Sequence, residues 1–197
     1  MQPTLIRRSL LSSTLVDFFP KTRKFVSEAD TPWANLASRV VRVVLARKDI
    51  SYAVLSDALS MLGVIESERS LASRVSRGRI KLALLLQIIS ATDADVPHLW
   101  ESAFLVTGTW EDRAAAVVSA ELSRHPTVTL AELAHRLVLL GDDLTEKTLV
   151  SHLSSGILSL PSFLECLVAL GSSSLDNYVE YKDLVSAAIT RANTAAE

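Results

Sequence analysis

A single cysteine, Cys166, stands in the whole chain, so no internal disulfide can form and a reducing compartment is the natural setting. Glycine is scarce too, with six in 197 residues. Gly63, Gly78, Gly108, Gly141, Gly156 and Gly171 all fall at expected helix ends or linkers, which leaves no glycine-rich loop to cradle a phosphate. Aromatic residues make up 6% and alternating apolar/polar stretches are very short, so strand signals are few. The longest apolar run, Leu82 to Ile89, is interrupted by Gln87 and is far too short to span a bilayer. No apolar signal-peptide core opens the chain. Arg7, Arg8, several serines and the lack of an acid before Asp17 have a transit-peptide flavour, which basic bacterial arms share. The four histidines, His98, His125, His135 and His152, show no metal-ligand spacing, and one thiol cannot anchor zinc. Neither a metal nor another cofactor is expected, and an enzyme is not expected.

What the chain does have is helix periodicity. Half of it is apolar, rich in Leu, Ala and Val recurring three and four apart. An all-α fold follows. The pattern also repeats. Trp33 follows Thr31-Pro32, a cap before proline at the first helical position, and Trp110 follows Thr109 and precedes Glu111-Asp112, acids in a first turn. Beyond a one-residue insertion at Pro126 the register is constant. Ile50 pairs with Val128, Leu55 with Leu133, Leu59 with Leu137, Leu62 with Leu140 and Gly63 with Gly141. Ser67-Glu68-Arg69-Ser70-Leu71 lies against Thr145-Glu146-Lys147-Thr148-Leu149, and Ser73, Ser76 and Gly78 match Ser151, Ser154 and Gly156. Roughly 13 of about 43 aligned positions are identical, which indicates a tandem duplication.

The expected organisation is a basic arm with an amphipathic helix (1–32), a first repeat (33–105), a second repeat (106–184) and a tail (185–197). Each repeat reads as four main helices and a short terminal one. Ser51 caps the second helix, Thr129 with Glu132 forms a capping box at the same place in the second copy, and Ser67 and Thr145 cap the third helices. The first helix buries Leu36, Ala37, Val40, Val41, Val44 and Leu45, matched by Ala114, Val117, Val118 and Leu122. Cys166 lies on the apolar side of a fourth helix beside Leu167, where a thiol is buried and inert.

Charge separates the copies. Residues 1–32 and 33–105 each sum to about +2, whereas 106–181 sum to about −6. In the third helix of the first repeat, Leu71 and Val75 face the core, and Ser70, Arg74 and Arg77 share another face, flanked by Arg69, Arg79 and Lys81. Guanidinium forks reach base edges, small hydroxyls near a helix start reach phosphate, and apolar anchors hold such a helix in place. The bland alternative is a solvated face whose arginines pair with Glu66 or Glu68. The second repeat offers Thr148, His152 and Ser155 there, with Asp142, Asp143 and Glu146 beside them. A second basic element, Lys21-Thr22-Arg23-Lys24, follows the apolar residues Leu5, Ile6, Leu10, Leu11, Leu15 and Val16. It reads either as an arm touching phosphates or as a plain tail.

Three stretches carry a resemblance: Ile50-Ser51-Tyr52-Ala53-Val54-Leu55 through Gly63, then Leu71-Ala72-Ser73-Arg74-Val75-Ser76-Arg77-Gly78, then Leu85-Leu86-Gln87. The sequence resembles a small bacterial domain family of unknown function, with an opening Trp, a Leu-x-x-x-Gly turn and a Ser-Arg-Gly ending to the third helix. That family is similar to the phage-repressor type of helix-turn-helix. The resemblance covers about residues 33–181, and its second copy departs from the pattern with Ser154-Ser155-Gly156. It implies two repressor-like helix-turn-helix units and, by analogy, a DNA-binding transcriptional regulator of a bacterium or mobile element, in the bacterial cytoplasm.

The expected partner is double-stranded DNA, contacted by Arg69, Ser70, Ser73, Arg74, Arg77, Arg79 and Lys81, with Lys21, Arg23 and Lys24 from the arm. Two whole chains are expected to pair through the second repeat or the N-terminal helix. The alternative is a protein-interaction module, an adaptor or anti-activator on the same scaffold, without DNA binding.

Overall fold

The computed structural model describes residues 31–142 and 144–195, and every regular element among them is helical. The first repeat comprises α1 (Pro32–Lys48), α2 (Tyr52–Ser60), α3 (Glu68–Ser76) and α4 (Leu82–Ala91), then a 3-10 turn (His98–Trp100) running into α5 (Glu101–Phe104). The second comprises α6 (Trp110–Ser123), α7 (Leu130–Leu139), α8 (Glu146–Ser155), α9 (Leu160–Leu170) and α10 (Tyr181–Ala195). Most of the helices start where a hydroxyl accepts a first-turn N–H, which satisfies a donor with no partner inside the helix; α4, which follows Lys81, has no such cap. Thr31 accepts from Ala34 at 3.2 Å, Ser67 from Ser70 at 3.3 Å and Thr145 from Thr148 at 3.3 Å.

Two starts differ in detail from expectation. At Thr109 a full reciprocal box forms: Thr109 Oγ1 accepts from the Asp112 N–H, and the Thr109 N–H donates to Asp112 Oδ2 at 2.8 Å. Those bonds hold the Asp112 carboxyl below the usual carboxylate range, the backbone donor contributing most. At Thr129 only half the box exists. Its hydroxyl caps Glu132, but the Glu132 carboxylate accepts instead from Arg136 Nε at 2.8 Å. A charged partner one turn onward competes with a neutral backbone donor and wins.

Inside each repeat the same pairs pack: α1 and α2 each against α3 and α4, and α6 and α7 each against α8 and α9. The ends of α3 and α8 press on the first turns of α1 and α6. Gly78 (φ +65) lies so close to α1 that a Cβ there would fall within 2.6 Å of the Ala34 Cα. Gly156 (φ +69) meets α6 equally closely, its Cβ position 2.7 Å from the Glu111 carbonyl carbon. Gly78 and Gly156 are thus packing glycines as well as helix stops.

The repeats then interlock crosswise. Helix α1 packs on α9, and α6 packs on α4. The terminal segment of each repeat lies on the first helix of the other, α10 on α1 and the Trp100 turn with α5 on α6. At the centre Lys81 and Ser159 form an antiparallel bridge, with the Leu82 N–H donating to Leu158 O at 2.9 Å and the Leu160 N–H to Ile80 O at 2.7 Å. Ile80 and Leu158 are repeat equivalents, as are Leu82 and Leu160, so a pseudo-twofold axis relates the two bonds by rotation. One continuous core results, shared by α1, α4, α6 and α9, with Trp33, Trp100 and Phe163 among its largest buried side chains. Trp100 stacks edge-on to Phe163, with ring centroids 5.5 Å apart, and its indole N–H donates to buried Glu121 at 2.6 Å. Opposite, the Tyr178 O–H donates to Asp95 O at 2.6 Å, and the Arg47 guanidinium sits 5.6 Å from the Tyr178 ring.

Helix α10 continues through the residues expected to form a tail. Leu184, Ala187 and Ala188, three and four apart, are buried. The expected N-terminal helix and arm lie outside the described residues.

Candidate nucleic-acid interface

Leu71 and Val75 of α3 are fully buried, and this fixes which face of the helix turns outward. Arg69 and Ser70 are exposed, and Ser73 and Arg74 are half-buried. Their chemistry is not that of a free reading face throughout. Glu66, in the α2–α3 connection, accepts from Arg74 Nη1 at 2.5 Å through one oxygen and from the Ser70 hydroxyl at 2.7 Å through the other. The Glu66 backbone carbonyl in turn accepts from the Ser56 hydroxyl at 2.6 Å. A carboxylate with 12% side-chain exposure therefore ties the connection to α3 and occupies Arg74, as the bland reading of this helix anticipates.

The unengaged cations lie further along. Arg77, the C-cap of α3, together with Arg79 and Lys81 are all exposed, and none pairs with a carboxylate among the described residues. They line a surface cleft of about 390 Å³ with Arg74, Thr31, Gly78, Ile80, Ser159 and Pro161. Its far wall, Ser159 and Pro161, belongs to the second repeat, placed there by the Lys81–Ser159 bridge. Thr31, Lys81 and Ser159 are the N-caps of α1, α4 and α9, so three helix starts, each carrying partial positive charge, border the cleft. Thr31, Ser159 and Pro161 were not foreseen as site residues. Lys21, Arg23 and Lys24 lie outside the described residues, but the chain enters α1 at Thr31, on the cleft's rim.

The equivalent region of the second repeat carries other chemistry. Arg74, Arg77, Arg79 and Lys81 correspond to His152, Ser155, Ile157 and Ser159. Glu146, in the first turn of α8, accepts from His135 Nδ1 at 2.7 Å, and this bond raises the His135 pKa above its ordinary value. Asp143 lies outside the described residues. A family model matches residues 33–96 and again 110–175, one match per repeat.

The chain belongs to the family of the domain of unknown function DUF6471. Each DUF6471 match begins at or next to the opening tryptophan and takes in all four main helices of its repeat. The basic cleft is therefore built at the seam of two DUF6471 domains and not within either one. No curated protein and no solved structure matches the chain.

Other chemistry in the two DUF6471 domains is sparse. Cys166 is buried, and burial pushes its thiol pKa well up, with the neighbouring Glu165 adding to the effect. No group of three or more His, Cys, Asp or Glu among the described residues is arranged to hold a metal ion. No described helix is long and apolar enough to cross a membrane. Seven residues, 61 to 67, connect α2 to α3, against three or four in the usual helix-turn-helix.

Proposed function

We propose that this protein binds double-stranded DNA, as a transcriptional regulator, through the cationic cleft at the end of α3. What supports the reading is one observation: Arg77, Arg79 and Lys81 line a cleft where no carboxylate among the described residues pairs with them, and Arg69 extends the charge along α3. Guanidinium and ammonium groups held without counter-charge gain most from a polyanion, because each phosphate contact releases condensed counterions. Helix α3 works in this reading as a helix-turn-helix reader, with Ser73 near the bases and the cleft gripping the backbone.

Four contacts give a slope of log K against log salt of about −3.6, so raising salt fourfold weakens binding about 150-fold. The test is a titration of labelled random-sequence duplex at several salt concentrations, with wild type and Arg77→Gln/Arg79→Gln. The variant loses two contacts, which halves the slope to about −1.8 and cuts the fourfold-salt effect from about 150-fold to about 12-fold. Superimposable curves for the two proteins, at equal helix content, would sink the reading.

A second reading, a protein-docking module without DNA binding, rests on a different observation. Met61 and Ile65, in the α2–α3 connection, are 87% and 95% exposed, and Leu139 at the matching end of α7 is 71% exposed. Beside Leu139 an apolar cleft of about 280 Å³ is lined by Arg136, Leu140, Val168 and Ala169. This reading requires a complex that survives nuclease treatment and is lost on Met61→Ser/Ile65→Ser or Leu139→Ser.

A further inference from the structure

Each repeat buries on the other the faces it would otherwise offer to a second chain. The reciprocal bonds Leu82 to Leu158 and Leu160 to Ile80, and the reciprocal packing of α1 on α9 and α6 on α4, have the form of a twofold dimer interface. In an isolated repeat the core-facing sides of the first and fourth helices would be open. Here both copies are covered, with Ile80, Leu82, Leu158, Leu160 and Phe163 at most 1% exposed. Fold symmetry and charge symmetry have parted company. The axis that carries the α3 end onto the α8 end carries Arg74, Arg77, Arg79 and Lys81 onto His152, Ser155, Ile157 and Ser159.

We propose that a single chain is a covalently joined pseudo-dimer with one live DNA-reading face, which engages one duplex segment lacking twofold symmetry as a monomer. The inference rests on the DNA-binding reading. It replaces pairing of whole chains through the α1, α4, α6 and α9 faces, because those surfaces are spent inside the chain. The second repeat serves as the fixed partner that closes the core of the first and supplies the Ser159–Pro161 wall of the cleft.

Two measurements test it. The first is the mass of the full chain by analytical ultracentrifugation, alone and with a random-sequence duplex of about 12 base pairs, which has room for one half-site but not two. The expected results are a 21.4 kDa particle alone and a one-to-one complex on DNA. A dimer in solution, or two chains on this duplex, overturns the inference while leaving DNA binding intact. The second restores charge to the silent face with Ser155→Arg/Ile157→Arg, at two exposed positions, on a duplex of about 24 base pairs. Two added contacts steepen the salt slope by about 1.8, from about −3.6 to about −5.4. An unchanged slope overturns the claim that the second face is a disarmed copy of the first. Failure of the wild type to bind either duplex at low salt overturns both the inference and the reading beneath it, whatever the chain's mass.

Discussion

Replacing Gly78 by alanine separates two costs that a glycine at a helix end conceals, and Gly63 supplies the control. Both residues have positive φ, +65 at Gly78 and +81 at Gly63. A Cβ at Gly63 meets nothing within 4 Å, whereas at Gly78 it lands on the backbone of Ala34 in the first turn of α1. The conformational cost of a left-handed alanine is about 1–2 kcal/mol, partly offset by about 0.4–1 kcal/mol from a less flexible unfolded chain. Gly63→Ala is therefore expected to destabilise by no more than about 1.6 kcal/mol. Gly78→Ala adds displacement of a backbone that a flexible side chain cannot relieve, which costs about 1–3 kcal/mol more. With a urea m-value of about 2 kcal/mol/M, the Gly78→Ala midpoint lies about 0.5–1.5 M below that of Gly63→Ala. Circular dichroism at 222 nm during urea denaturation reads both. Gly156→Ala, against the Glu111 backbone, is expected to behave like Gly78→Ala. Equal midpoints for Gly63→Ala and Gly78→Ala would refute the packing argument.

Three further outcomes follow from contacts described above. Trp100→Phe removes the indole donor and leaves the Glu121 carboxylate, 2% exposed, without its bond; a loss of about 2–4 kcal/mol is expected in denaturant titrations, and a loss under about 1 would mean the bond contributes little. His135 has a raised pKa in the folded state, so the stability it contributes is fully present below its unfolded value near 6.5 and fades as pH rises through the folded value. An NMR titration should move the His135 pKa back down in Glu146→Gln, and an unmoved value would show that the ion pair is not the cause. Glu66→Gln weakens the hold on Arg74, so under the DNA-binding reading it tightens binding and steepens the salt slope by about 0.9, the reverse of the usual effect of loosening a loop.

Local features were readable from the residues alone, because a cap or a helix stop involves neighbours three or four positions away. Thr31, Ser67, Thr145 and the shared Gly78 and Gly156 all do what their positions implied. Contacts between distant segments were not readable. The sequence offered Glu66 and Glu68 as partners for several arginines, but it does not say that Glu66 takes Arg74 alone, which moves the free positive charge from the face of α3 to its end. Nor does it say that Ser159 would wall a cleft whose cations come some 80 residues earlier, since only the crosswise bridge brings them together. The aligned tryptophans show the same limit. Trp33 is 2% exposed, yet its counterpart Trp110 is half-buried beneath the Arg113 guanidinium, 4.2 Å from the ring centroid. A repeat in sequence guarantees a shared backbone path, while burial depends on what each copy meets.

The crosswise packing also sets a schedule for synthesis. Helix α1 finds its cover on α9, whose last residue is Leu170, while α4 ends at Ala91. At about 5–20 residues per second a ribosome needs roughly 4–16 s to make the chain between those points. Throughout that interval the four main helices of the first repeat are made but its α1 face still waits for α9, an apolar surface for a chaperone or for a neighbouring nascent chain to take. Contacts so far apart in sequence also slow the closing step itself. The arrangement that frees the finished protein from needing a second chain leaves its first half dependent, for some seconds, on being kept from one.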